Sequence, residues 1–181
     1  MKRIAIDIDE VMADTAISHL ELFNLEHDDN VTLEELQGTT LVNIRPERRE
    51  EIESYYESEQ FFRQLSVIPD SQEVIRELQK HYEIFIATAA MEVPASFQAK
   101  YEWLKEHFST IPDSHIVFCG DKSIIHADYL IDDNVKQLKR FKGTGILYSA
   151  AHNIFETGYT RVNNWLEVQE LLLGERAEVG R

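Results

Sequence analysis

The chain has 181 residues, 43% hydrophobic side chains, a net charge of −15 and one cysteine. That length suits one domain with room for a small insertion, and the negative balance argues against nucleic acid or an anionic membrane as a general partner. Cys119 by itself excludes an internal disulfide and a cysteine-built zinc cluster, so a reducing cytoplasm is the expected home; no apolar run approaches the about 20 residues of a membrane span.

The octet Ile4-Ala5-Ile6-Asp7-Ile8-Asp9-Glu10-Val11 reads as a strand buried on both faces, ending in two aspartates. Side chains at i and i+2 leave a strand on the same side, roughly 7 Å apart. Asp7 and Asp9 are therefore expected to point the same way at the strand's exit, where their like charges call for a cation between them. The alternative is a strand end whose acids face solvent. Met12 to His27 follows as a helix, capped by Asp14 or Thr15. Thr32 to Gln37 carries a capping-box pattern and ends at Gly38. Pro46 opens a charged helix running to Glu59, then come Phe61-Phe62-Arg63-Gln64-Leu65 and Val67-Ile68-Pro69. None of this stretch alternates as strands do, and it reads as a helical insertion.

From Asp70 the pattern is regular. Helices are expected at Ser71 to Lys80, Pro94 to Phe108, Val135 to Phe141 and Asn164 to Leu173. Strands are expected at Tyr82 to Ala87, His115 to Cys119, Asp128 to Ile131 and Ile146 to Tyr148. Strands alternating with helices imply parallel βαβ units, whose ligands gather beyond the carboxyl ends of the strands. Those exits carry Asp7 and Asp9, Thr88, Lys122, and Asp132 with Asp133. Singly, each has an ordinary reading. Thr88 is a helix cap or strand-end hydroxyl, Lys122 a solvated loop lysine, and Asp132-Asp133 a turn with a cap. Together they fit phosphoryl transfer to a carboxylate, assisted by a second acid, a lysine and a metal.

In order and setting, Asp7-Ile8-Asp9-Glu10-Val11, Thr88, Lys122 and Asp132-Asp133 resemble the four motifs of haloacid-dehalogenase-like phosphohydrolases. With Met12-Ala13-Asp14-Thr15, Phe61-Phe62-Arg63-Gln64-Leu65, Ala87-Thr88-Ala89-Ala90-Met91 and Asp128-Tyr129-Leu130-Ile131-Asp132-Asp133-Asn134, the resemblance narrows to the 5′(3′)-deoxyribonucleotidases and their bacterial members. It implies a Rossmann-like α/β core, residues 1–14 and 69–174, with a parallel sheet flanked by helices. Residues 15–68 would be a small helical cap inserted after the first strand, and residues 175–181 a loose tail.

The resemblance also implies roles. Asp7 would be the nucleophile and a Mg²⁺ ligand. Asp9 would be the general acid/base, with its backbone carbonyl on the metal. Thr88 and the amide of Ala89 would bind phosphate, and Lys122 would pair with both phosphate and nucleophile. Asp133 would be the direct metal ligand, and Asp132 would support it from behind or bind through water, unless the two exchange roles. Phe61 and Phe62, with Tyr55 and Tyr56, are candidates to stack on a base or to pack the cap. Glu10 stands where many of the superfamily have glycine. His19 and His27 either reach a substrate or, the more ordinary reading, are surface or cap histidines; His152 and Asn153 line the site's rim or, the reading preferred, form a solvated loop; Cys119 reads as a packed strand-end thiol.

The implied activity is a Mg²⁺-dependent phosphomonoesterase acting on nucleoside monophosphates through an aspartyl-phosphate. The implied partner is a small phosphate ester, with no nucleic acid and no membrane; a homodimer is left open. Other phosphate esters, a receiver-like phosphoacceptor domain, and a non-enzymatic interaction protein keeping the fold are the competing readings. A metal-free dehalogenase fits less well, since it would not need Asp9.

Overall fold

Ile4 and Ile6 point into one hydrophobic layer and Ala5 into the other, so β1 (Arg3–Ile6) is covered on both faces, as its unbroken apolar run requires. The structure, a computed structural model, describes residues 1–179; of Glu92 and residues 175–179 only the backbone is described. The further strands are β2 (Glu83–Thr88), β3 (Ile116–Phe118), β4 (Tyr129–Asp132), β5 (Thr144–Tyr148) and β6 (Thr160–Val162). They form a parallel sheet in the order β3-β2-β1-β4-β5-β6. After β1 the chain builds outward through β2 and β3, then returns to β4 on the other side of β1. Neighbouring crossovers diverge there and leave a crevice at the carboxyl ends of β1 and β4.

The core helices are α5 (Ser71–Leu78), α6 (Phe97–His107), α7 (Val135–Arg140) and α8 (Trp165–Val179). Val74, Ile75, Leu78, Trp103, Leu104, Val168 and Leu172 bury one face of the sheet, and Leu138 and Phe141 cover the other. Two of these elements differ from expectation. β6 has no counterpart among the expected strands, because three residues ending in a buried Val162 carry too little periodicity. α8 continues through Val179, into the stretch expected to be loose from residue 175. Glu175, Arg176, Ala177 and Glu178 are good helix formers and carry it past Gly174; residues 180–181 lie outside the described residues. No helix among the described residues is long and apolar enough to cross a membrane.

Residues 15–68 are helical, in shorter pieces than the pattern suggested: α1 (Thr15–His27), α2 (Leu41–Ile44), α3 (Arg49–Ser54) and α4 (Glu59–Arg63). Asp14 caps α1, accepting from the Ile17 amide at 3.1 Å. The expected helix at Thr32 to Gln37 is a run of turns. Thr32 and Glu35 do form their reciprocal cap, but three-residue closures (Leu36 to Leu33, Gln37 to Glu34) lead to Gly38 at φ 70°. The helix expected from Pro46 to Glu59 breaks at Ser58, which is extended and accepts from the Phe61 amide, starting α4.

This segment has a hydrophobic cluster of its own, built on Leu20, Phe23, Val31, Leu41 and Ile52. Its two ends are stitched together: the Asp14 amide donates to the Ser66 carbonyl and the Ile68 amide to the Met12 carbonyl, each at 2.9 Å. α4 rests on α6, where Trp103 Nε1 donates to the Leu65 carbonyl at 2.8 Å and Arg63 pairs with Glu102 and Glu106.

His19 is buried inside the helical segment. Its Nε2 lies 3.1 Å from the Ile52 carbonyl, which only accepts, so the proton is on Nε2 and Nδ1 accepts from the Tyr56 hydroxyl at 2.8 Å. Burial holds this imidazole below its ordinary value of 6.5. Below about pH 6.5 the unfolded chain binds a proton that the folded chain refuses, so His19 costs stability as pH falls. Denaturation midpoints compared at pH 7.5 and pH 5.5 should show a smaller drop for His19→Asn than for the parent; an equal drop would remove His19 as the cause.

Candidate active site

Asp7 follows the last residue of β1, and its amide donates to the Ile131 carbonyl of β4 at 3.0 Å. Because Ile6 pairs with Ile131, Asp7 emerges beside Asp132. The expectation that β1 continues through Asp9 does not hold. The amides of Val11, Met12 and Ala13 all turn back to the Ile8 carbonyl, and Glu10 adopts φ 59°, a conformation that costs a non-glycine residue about 1–2 kcal/mol. Asp7 and Asp9 still line one cavity, but a turn brings them there, not strand alternation.

Lys122 is fully buried. Its Nζ lies 2.9 Å from Asp7 Oδ1 and 2.6 Å from Asp132 Oδ2. The short turn carrying it is fastened by Gln137 of α7, which accepts from the Lys122 amide and donates to the Gly120 carbonyl, each at 3.0 Å. The second Asp132 oxygen accepts from the Asn134 amide at 2.8 Å. Asp133 leaves β4 on the cavity side. Oxygens of Asp7, Asp132 and Asp133 lie within 4.8 Å of one another. Distant segments of the chain therefore meet as the sequence led us to expect.

The electrostatics of this cluster follow from burial. Burial raises Asp7 to about 7, with Asp132 and Asp9 adding to the rise and Lys122 opposing it. Asp133 is pushed well above the usual carboxylate range by burial, then by Asp7 and Asp132. Burial works against the Lys122 ammonium, but its two carboxylate neighbours more than reverse that and raise it. Three buried carboxyls share one lysine, so without a further cation burial favours keeping protons in the cluster. Hard, closely spaced oxygen donors of this kind fit a divalent cation such as Mg²⁺. Thr88, at the end of the neighbouring strand β2, is also fully buried, and its Oγ1 has no hydrogen-bond partner. An orphaned hydroxyl next to such a cluster is a donor in want of an anion.

Asp9 has a partner that the sequence pattern did not mark. Lys100 of α6, itself buried, places Nζ 2.5 Å from Asp9 Oδ2 and 4.9 Å from the centre of the Phe62 ring. The other oxygen of Asp9 accepts from Thr15 Oγ1 at 3.2 Å. A lysine inside an amphipathic helix reads as a solvated residue, and nothing local distinguishes this one. Glu10 also turns inward. It accepts from the Ala16 amide at 2.5 Å, and burial raises its carboxyl to about 8.

Asp7, Asp9, Glu10, Lys100 and Asp133 open on a cavity of about 360 Å³, a size typical of small-molecule sites; Thr88, Lys122 and Asp132 are fully buried and do not line it. Its wall combines charged and polar groups with the apolar side chains of Leu20, Leu41, Tyr56 and Phe62. Phe61 is not brought to the wall. Adjacent helical residues diverge by about 100°, and the Phe61 ring packs behind, against His19, Tyr56 and Phe62. Tyr55 turns away to Glu26 and His27 to Glu51. Cys119 is buried, as expected. Of the two readings of His152 and Asn153 the structure takes the rim and not the solvated loop: His152 lines the cavity with Nε2 3.3 Å from Asp133 Oδ2, and Asn153 is buried. Their anchor is Arg161 of β6, the strand that the sequence did not reveal.

Residues 1–178 match the family model described as 5′ nucleotidase, deoxy (pyrimidine), cytosolic type C protein. The chain is 38% identical over 177 residues to the 5′(3′)-deoxyribonucleotidase of Bacillus subtilis, covering 95% of this chain and 99% of that one. A Staphylococcus epidermidis protein, provisionally given the same name, is 48% identical over 168 residues, 93% of this chain and 94% of its own. Among solved structures, a haloacid dehalogenase-like hydrolase of Streptococcus pneumoniae superposes with a TM-score of 0.63 at 13% identity, covering 94% of this chain and 98% of that one. The fold is thus the haloacid-dehalogenase-like α/β fold.

The buried lysine is the readiest element of this site to test. Lys122→Met removes the charge that faces both Asp7 and Asp132, and breaking a buried pair from one side costs about 3–5 kcal/mol. Denaturant unfolding at pH 7 should show that loss; an unchanged midpoint would mean that Lys122 does not offset the burial of its two neighbours.

Proposed function

The chain belongs to the 5′ nucleotidase, deoxy (pyrimidine), cytosolic type C family, a family of phosphoric monoester hydrolases, and we propose that it releases phosphate from deoxyribonucleoside monophosphates through an aspartyl-phosphate. The observation that carries this reading is the ion pair of Lys122 with Asp7 and Asp132, which lies directly behind the wall of a cavity that Asp7, Asp9 and Asp133 share with Leu20, Leu41 and Tyr56. A nucleotide likewise combines a charged phosphate with a flat apolar base.

Asp7, Asp133 and the backbone carbonyl of Asp9 would hold Mg²⁺. When bound, the ion offsets the repulsion between carboxylate and phosphate and polarises a phosphoryl oxygen. Asp132, with both oxygens engaged by Lys122 and Asn134, supports the site from behind and does not compete with Asp133 for the direct role. Thr88 Oγ1 and the Ala89 amide hold phosphoryl oxygens.

In the first step an Asp7 oxygen bonds to phosphorus while the ester P–O bond breaks, its electron pair leaving on the alcohol oxygen. Asp9 gives that oxygen a proton. In the second step Asp9 takes a proton from water, the water oxygen bonds to phosphorus, and the bond to Asp7 breaks, restoring the carboxylate and freeing phosphate. Lys122 stays charged throughout and offsets the negative charge that develops between Asp7 and the phosphoryl group. The helical segment acts as the cap. Phe62, 2% exposed with Lys100 over its ring, backs the cavity wall on the cap side.

Phosphate release over a panel of ribo- and deoxyribonucleotides, with and without Mg²⁺, tests the reading. Deoxyribonucleoside monophosphates should be preferred and turnover should need Mg²⁺. Asp7→Asn should fall to background and Asp9→Asn by roughly 10²–10⁴-fold. An Asp7→Asn protein with parental turnover would exclude the mechanism. Phe62→Ala removes a buried ring, which costs about 3–5 kcal/mol of stability, and where the protein still folds it should raise KM with kcat little altered. A change confined to kcat would instead separate Phe62 from substrate binding.

A further inference from the structure

The three consecutive residues Ala151, His152 and Asn153, in the loop after β5, each hold a different part of the site. The Ala151 carbonyl accepts from the Gly38 amide of the helical segment at 2.9 Å. His152 Nε2 lies 3.3 Å from the Asp133 carboxylate. Asn153 reaches the main chain of the same residue: its Nδ2 donates to the Asp133 carbonyl at 2.9 Å and to the Tyr148 carbonyl at 2.8 Å.

Asn153 is 1% exposed, and its orientation has no alternative. Both neighbours of Nδ2 are carbonyls, which only accept. Both neighbours of Oδ1 are donors, the Ala150 amide at 3.2 Å and Arg161 Nη1 at 2.9 Å. A flipped amide would mismatch every one of these bonds. Arg161 then clamps the loop from β6, with Nη1 also on Ser149 Oγ and Nη2 on the carbonyls of Asn153 and Glu156. A long, fully satisfied polar network of this kind rigidifies what it touches. The polypeptide after β4 has no ladder partner at Asp133, since the β4–β5 register ends at Asp132 with Leu147. Asn153 supplies the missing bond.

We propose that Asn153 is a positioning residue for Asp133: it holds the main chain of that residue so that the carboxylate faces Asp7 across the cation site, and Arg161 acts through it. This rests on the reading of Asp133 as a metal-holding carboxylate. Outer partners that orient a ligand are worth 10–100-fold in metal affinity elsewhere. Asn153 touches neither the cation nor the substrate, so its loss should change the affinity for Mg²⁺ and leave the rate at saturating Mg²⁺ near the parent's.

Calorimetric titration of Mg²⁺ into the full chain separates positioning from general stability. Tyr82→Phe is the control. It removes another buried bond, from the Tyr82 hydroxyl to the Leu172 carbonyl at 2.7 Å, at the opposite end of the strands. Asn153→Ala should bind Mg²⁺ about ten-fold more weakly, with the same shift in the Mg²⁺ concentration that half-saturates phosphate release. Tyr82→Phe should lower the Tm yet keep the parental Mg²⁺ affinity. If Asn153→Ala does not fold, Arg161→Lys should give a smaller shift in the same direction. Parental Mg²⁺ affinity in the Asn153 or Arg161 variant, or an equal weakening in Tyr82→Phe, would overturn the proposal. A parent chain that binds no Mg²⁺ would fail the reading of Asp133 itself, and the positioning role with it.

Discussion

A single buried ammonium group, that of Lys122, stands between carboxylates from two adjacent strand ends. Without it, Asp7 and Asp132 would be like charges in a fully buried place, and burial already drives both toward the protonated form. With it, the neighbouring exits of β1 and β4 can carry acids side by side, and a third acid, Asp133, can be added at their edge. The parallel sheet makes this arrangement available, because chain reversal between β3 and β4 opens a crevice where β1 and β4 end. The remaining parts of the site attach to that frame: Thr88 from the next strand, Gln137 from α7 under the lysine turn, and Asn153 from the loop after β5.

The helical segment contributes differently. It has its own apolar cluster, and its two connections to the core run side by side through hydrogen bonds at Met12–Asp14 and Ser66–Ile68. Paired crossings of that kind let a segment pack as a unit above the sheet edge. Contacts at two places seat it. Below, α4 lies on α6 through Trp103, Arg63 and the Lys100–Phe62 stack. On the far side, Gly38 meets the loop after β5. Its φ is +70°, which a side chain disfavours, and a Cβ there would also stand 2.5 Å from the exposed Phe155 ring, which would have to move aside. Lys100 belongs to both descriptions. It is a core residue that pairs with Asp9 and lies over a ring of the helical segment.

Much of this was legible before any coordinates. The acids at positions 7, 9, 132 and 133, with Thr88 and Lys122, stand at strand exits, and the alternation of strands and helices implies that such exits share an edge. What local pattern could not reveal is who answers whom across the sheet. Lys100 and Asp9 are distant in sequence, and a lysine on an amphipathic helix has no local mark of burial. His152 and Asn153 read as loop because their anchor, Arg161, lies on a three-residue strand too short to register as one. The expected continuation of β1 through Asp9 fails for a related reason: apolar residues in a tight turn and in a strand look alike until the hydrogen bonds to the Ile8 carbonyl are seen.

The amino-acid order by itself determined the class of fold and put acids, a threonine and a lysine at the exits of its strands, because periodicity and charge at strand ends are local properties. Only the tertiary structure decided which residues line the cavity, that Asp132 is engaged by Lys122 while Asp133 faces the cavity beside His152, that Phe62 and not Phe61 reaches the wall, and that Asn153 bonds the Asp133 main chain. Those are distances between residues far apart along the polymer, and burial and hydrogen-bond geometry exist only once the chain has closed on itself.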